Sequence, residues 1–236
     1  MDAPVSIWPS QVGCAGCALH PLCEAADPVP YSLPAVDTRG RLEHGEALFE
    51  AGSPQGSIYA VRAGFLKVVT PVDEAGSRIV RFLMPGDAFG LEGFAARRHA
   101  GAAVALEDSE VCEITLRRAQ VLADSFPPVA AHLRRLLAAE IADARMHAAV
   151  LAHRSAPQRL AGFLVDAARR WSDRGYSWRE FRLPMERREI ADYLGLTVET
   201  VSRVLSVFRE RGWISVKGRH VSIHDLEGLA SCPRAL

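Results

Sequence analysis

The chain has 236 residues, 49 % of them hydrophobic and 24 % charged, and its 28 basic and 28 acidic residues cancel to a formal net charge of +0. That is enough apolar material for one or two cored domains, and it excludes a disordered or disulfide-stapled chain. No run reaches the roughly 18 apolar residues of a membrane helix, and the N-terminus lacks the basic and apolar regions of a secretion signal, so a cytoplasmic protein with reduced thiols and no membrane partner is expected.

The charge is unevenly spread. Residues 155–236 carry 14 Lys and Arg against 10 Asp and Glu, and the rest of the chain carries 14 against 18. A basic C-terminal part fits a polyanionic partner, although a solvated surface has the same look.

Residues 1–30 contain no Lys or Arg, five prolines and three cysteines, arranged as Cys14-x2-Cys17-x5-Cys23. So polar and Pro-rich a segment buries little, which predicts an irregular leader unless a ligand orders it. Cys112, about 90 residues downstream, completes a set of four soft thiolate donors suited to a metal or an iron–sulfur cluster. Such a site would tie the leader to a folded domain. The fifth cysteine, Cys232, reads as a free thiol without a role.

Short apolar runs follow at 46–49, 57–61, 65–70, 78–83, 104–106 and 111–115. Turn signals recur roughly every ten residues, among them Ala51-Gly52-Ser53-Pro54, Ala63-Gly64 and Pro85-Gly86-Asp87. This rhythm predicts a β-roll or barrel over 31–125. After Phe126-Pro127-Pro128 the period changes to that of a helix running to about His153, with a proline at its start. Leu133, Leu137, Ile141, Ala144, Ala148 and Leu151 form a near-heptad stripe, read as a dimer seam over 126–154. A helix docked on its own domain has the same pattern.

Residues 155–236 read as helix, short strand, helix, glycine turn, helix and β-hairpin, the order of a winged helix-turn-helix. Thr197 is placed to cap the second helix of the turn motif. Glu199, Ser202 and Arg203 then share one face. Arg is suited to guanine O6 and N7, Glu to cytosine N4, Ser to either kind of edge, and Val198 to a thymine methyl. Lys217 and Arg219 at the hairpin, with His220, Arg187 and Arg188, are expected phosphate contacts. Val201, Val204, Leu205 and Phe208 should face the core.

Taken together, these residues resemble the CRP/FNR superfamily of bacterial regulators, and within it the oxygen-responsive FNR branch. The resemblance rests on the four cysteines and on Tyr193-Leu-Gly-Leu-Thr-Val-Glu-Thr-Val-Ser-Arg203. Phe181-Arg-Leu-Pro184, Val111-Cys-Glu-Ile114 and Val216-Lys-Gly218 add to it. It implies an α+β protein with a cyclic-nucleotide-domain-like β-roll sensor, a dimerisation helix and a winged helix-turn-helix. It also implies one [4Fe–4S] cluster per subunit on Cys14, Cys17, Cys23 and Cys112, a homodimer, and double-stranded DNA with TTGAT half-sites read by Glu199, Ser202 and Arg203. Oxygen would destroy the cluster and switch DNA binding off, and β-roll loops would contact RNA polymerase. No catalytic constellation stands out, so no enzyme is expected.

One position departs from the branch. An acidic residue on the dimer helix that opposes association falls here at Ala144, while Asp143 lies one residue earlier, about 100° around the helix. The chain is therefore expected to stay partly dimeric without a cluster. Other readings of the sensor remain open: zinc on the same thiols, a disulfide switch, a nucleotide in the roll, or a haem on His20 or His44. Zinc generally uses two close cysteine pairs, which three plus one does not match. For a nucleotide, Gly90-Leu91-Glu92 and Gly101-Ala102 lack the expected Gly-Glu and Arg-Ser.

Overall fold

The computed structural model describes residues 13–26, 36–73 and 76–235. Its contacts divide the chain into two units, one up to Asp143 and one from Ala144.

The first unit is a β-roll of two antiparallel four-stranded sheets. One has the order β1 (Thr38–Leu42), β8 (Ser109–Thr115), β3 (Ser57–Ala63), β6 (Ala88–Phe89). The other runs β2 (Ala47–Phe49), β7 (Ala102–Ala105), β4 (Leu66–Asp73), β5 (Gly76–Leu83). Between the sheets Leu42, Val61, Leu66, Leu83, Phe89 and Val111 form one core. β3 is buried on both faces, because Ile58 and Ala60 point away from that core into a second one.

The second core corrects the expectation of an irregular leader. Cys14–Gly16 form a 3-10 turn and His20–Ala26 an α-helix, α1. Leu19, Leu22 and Ala26 are 1 %, 0 % and 4 % exposed and pack with Ile58 and Ile114 of the roll. At about 2 kcal/mol for each fully buried leucine, the apolar side chains supply the ordering assigned above to a ligand alone. Their spacing of three and four is a helical face that the surrounding prolines obscured. Further elements were not legible, among them β1, which offers a single buried residue, and helix α2 (Leu116–Ser125), which closes the same core with Ala119 and Leu122.

Helix α3 (Pro127–His153) starts at the predicted proline and is about 40 Å long at 1.5 Å per residue. Val129 and Leu133 face the chain's own core beside the leader leucines. Leu133, read from sequence as part of the dimer seam, is only 5 % exposed and is occupied within its own chain. Its stripe drifts around the helix, so the N-terminal end of the pattern docks at home. Further along, Ile141 is 53 % exposed, and Asp143, Ala144 and Ala148 are exposed as well.

The second unit holds α4 (Ala156–Ser172), α5 (Arg187–Leu194), α6 (Val198–Glu210), α7 (Leu226–Ala230) and a three-stranded sheet. The sheet order is β10 (Ile214–Lys217), β11 (His220–Ile223), β9 (Glu180–Arg182). Gly195 ends α5 at φ 61°, a left-handed conformation that turns the chain sharply into α6 and favours glycine. Among the described residues no helix is long and apolar enough to cross a membrane.

Candidate functional site

Two places carry chemistry, one in each unit. In the first unit the four cysteines called from the sequence line a single recess. Cys14 comes from the 3-10 turn, Cys17 and Cys23 from the leader helix and its approach, and Cys112 from β8. The recess is partly open to solvent, and His20, Val36, Arg39 and Arg62 are among the residues of its wall. Cys14 is exposed, and the other three are half-buried.

Burial pushes the thiols of Cys17, Cys23 and Cys112 up, Cys23 to about 11. Each also feels the charge of other members of the set, so the thiolates stand within one another's field. A cationic centre among them would relieve both burial and repulsion. Leu19 N–H donates to Cys17 Sγ at 3.4 Å, and the guanidiniums of Arg39 and Arg62 offset part of the burial at Cys112. Four soft sulfur donors around one recess fit a multi-iron cluster in number and kind. Among the described residues no three His, Cys, Asp or Glu are grouped closely enough to hold a single metal ion.

The haem candidates separate. His20 lines the recess, with Nδ1 4.0 Å from Glu24. His44 lies in an exposed turn, its backbone N–H donating to Asp108. In the nucleotide reading, Leu91 is 2 % exposed in the core, and Glu92 lies 3.9 Å from His99 Nδ1. Cys232 belongs to the second unit and is 7 % exposed.

In the second unit, Thr197 caps α6 as expected, accepting from Thr200 N–H at 3.2 Å. Val201, Val204, Leu205 and Phe208 are buried, which leaves Val198, Glu199 and Arg203 exposed and Ser202 half-exposed on the other side. Bonds from its own backbone N–H and from the Thr197 hydroxyl hold the Glu199 carboxyl below the usual range, so it is an acceptor at neutral pH. Lys217 and Arg219 flank the Gly218 turn of the hairpin, where φ is 63°.

Two second-unit arginines make bonds that sequence reasoning did not foresee. Arg187, expected on phosphate, donates to Ser202 Oγ at 3.2 Å and holds that hydroxyl on the reading face. Arg159 donates to the carbonyls of Leu151 at 2.6 Å, Leu194 at 3.0 Å and Arg154 at 2.9 Å. It joins the C-terminal ends of α3 and α5, and its only sequence signal was a basic residue early in an amphipathic helix. His147 stacks on Tyr193 at 4.3 Å beside this joint.

Comparison with known proteins bears on both places. Residues 39–125 match the family model of a cyclic nucleotide-binding domain, and residues 158–232 that of a Crp-like helix-turn-helix domain. The transcriptional activator protein anr of Pseudomonas aeruginosa is 39 % identical over 234 residues, covering 95 % of this chain and 93 % of that one. The fumarate and nitrate reduction regulatory protein of Salmonella typhimurium is 34 % identical over 229 residues, 93 % of this chain and 90 % of that protein. The solved structure of FixK2 from Bradyrhizobium japonicum superposes with a TM-score of 0.75 at 31 % identity, covering 81 % of this chain and 94 % of that one.

Proposed function

Because this chain belongs to the FNR branch of the CRP/FNR family of bacterial transcription regulators, we propose that it is a homodimeric, oxygen-sensing DNA-binding switch. Cys14, Cys17, Cys23 and Cys112 would hold one [4Fe–4S] cluster per subunit. When bound, that group supplies an oxidant-labile centre whose loss signals air. The observation that carries this reading is the convergence of three leader thiols and one β8 thiol on a single recess, in a unit that also anchors α3.

The chain's own residues then do the coupling. Leu19 and Leu22 pack against Val129 and Leu133, so the set of the leader bears on the N-terminal half of α3. The exposed Ile141, Ala144 and Ala148 face is the proposed seam with the second subunit, and it is joined by the half-buried Leu137 and Leu151. A dimer would present two copies of α6 to the half-sites of an inverted repeat. Arg203 would read guanine in a TTGAT half-site, Glu199 and Ser202 neighbouring base edges, and Lys217 and Arg219 the phosphates. One relative is described as a transcriptional activator, and for this chain contact between β-roll loops and RNA polymerase is part of the proposal.

Anaerobic purification followed by a visible spectrum and by iron and sulfide analysis tests the sensor. Brown protein that bleaches in air is expected. Colourless protein with one zinc per chain would sink the cluster reading.

A further inference from the structure

Cys112 stands in a ladder of charged rungs. β1 and β8 pair with Arg39 opposite Cys112 and Arg41 opposite Glu110. On the far side of β8, Ala60 of β3 faces Cys112, and Arg62 sits at the register shift beside it. Residues two apart on a strand share a face, so these rungs lie side by side. The Glu110 rung is an ion-pair set, with Arg62 at 2.8 Å and Arg41 at 3.3 Å. In the next rung a thiol takes the carboxylate's place opposite Arg39.

We propose that Arg39 is the counter-charge of the four-thiolate set, a positioning residue that holds the anionic ligands together and makes the group they carry harder to oxidise. The proposal rests on the cluster reading above. Four thiolates outweigh the positive charge of an iron–sulfur core, and nearby charge is one of the factors that set such a centre's potential. Arg41 and Arg62 share Glu110, which cancels much of their field. Among the described residues no carboxylate pairs with Arg39. Its guanidinium lines the recess and acts on Cys112 and Cys23. Arg39 is exposed, so its effect is moderate and sensitive to salt.

The test compares wild-type protein with Arg39→Met and Arg39→Lys, all purified anaerobically. The readouts are iron and sulfide per chain, the midpoint potential, and the half-life of the visible absorption in air-saturated buffer. Arg39→Met should bleach roughly two- to ten-fold faster, as expected for one exposed charge, and show a lower midpoint. Arg39→Lys, which keeps the charge, should stay near wild type, and added salt should narrow the gap. Equal half-lives in all three proteins would overturn the proposal. So would a lysine variant that behaves like the methionine one, since that assigns Arg39 to packing. A wild-type protein without iron and sulfide would overturn the cluster reading itself, and the proposal with it.

Discussion

The imidazole Nε2–H of His132, on α3, donates to the carbonyl oxygen of Ala18 at 2.7 Å, one residue beyond Cys17. This bond pins the cysteine leader to the helix that carries the exposed Ile141 face. Replacing His132 by Ala should cost about 1 kcal/mol of leader docking. Hydrogen exchange should read it as faster exchange of the amides at 19–26, with the β-roll amides unchanged. His132→Gln, which keeps a donor, should restore much of the protection.

Leu133 and Ile141 sit on the same helix but answer to different partners. Leu133→Ala should destabilise the chain by about 2–4 kcal/mol through a core cavity. The loss should be independent of protein concentration, as measured by urea unfolding. Ile141→Glu should leave subunit stability nearly unchanged and raise the dimer dissociation constant, as read by sedimentation. If Ile141→Glu has no effect on association, the seam lies elsewhere.

Base reading predicts a pattern rather than a uniform loss. Arg203→Ala should weaken binding at a TTGAT site by about 1–3 kcal/mol and relax preference at its G·C pair. Lys217→Ala should weaken all sequences alike and flatten the salt dependence. Arg187→Ala frees the Ser202 hydroxyl and should lower discrimination more than affinity. Binding titrations on wild-type and single-substituted half-sites separate the three.

Glu140 gives a pH signature. Burial raises its carboxyl above the usual range, Arg81 at 3.2 Å offsets part of this, and Glu92 and Asp143 add to it. The folded pKa exceeds the unfolded one, so its stabilising contribution is present below the unfolded value. That contribution is lost as pH rises through the folded value. Glu140→Gln removes the titration. Its stability relative to wild type should therefore improve on going from about pH 4 to about pH 7 in urea titrations. A constant difference across that range would show that Glu140 titrates normally.

Cys112→Ser should abolish iron retention while the roll stays folded, because Cys112 is half-buried and its strand is paired along both edges. Cys232→Ser should retain the full iron and sulfide content of wild type. Chemical analysis of both variants checks this.

Much of the protein follows from local pattern. The strand rhythm of the roll, the proline start of α3, the Thr197 cap, the Gly195 turn and the four thiol donors are each set by a few neighbouring residues. Tertiary structure decided what depends on distant partners. The leader is helical because Leu19 and Leu22 find Ile58, Ile114 and Leu133, none of which is near them in sequence. A heptad stripe records only that positions are apolar, so burial alone separates Leu133 in the home core from Ile141 in solvent. Arg39 acquires meaning from strand register, which puts Cys112 opposite it across more than seventy residues of chain. Short-range chemistry writes elements and donor types into the sequence, whereas the pairing of elements is a global minimum of burial and hydrogen bonding.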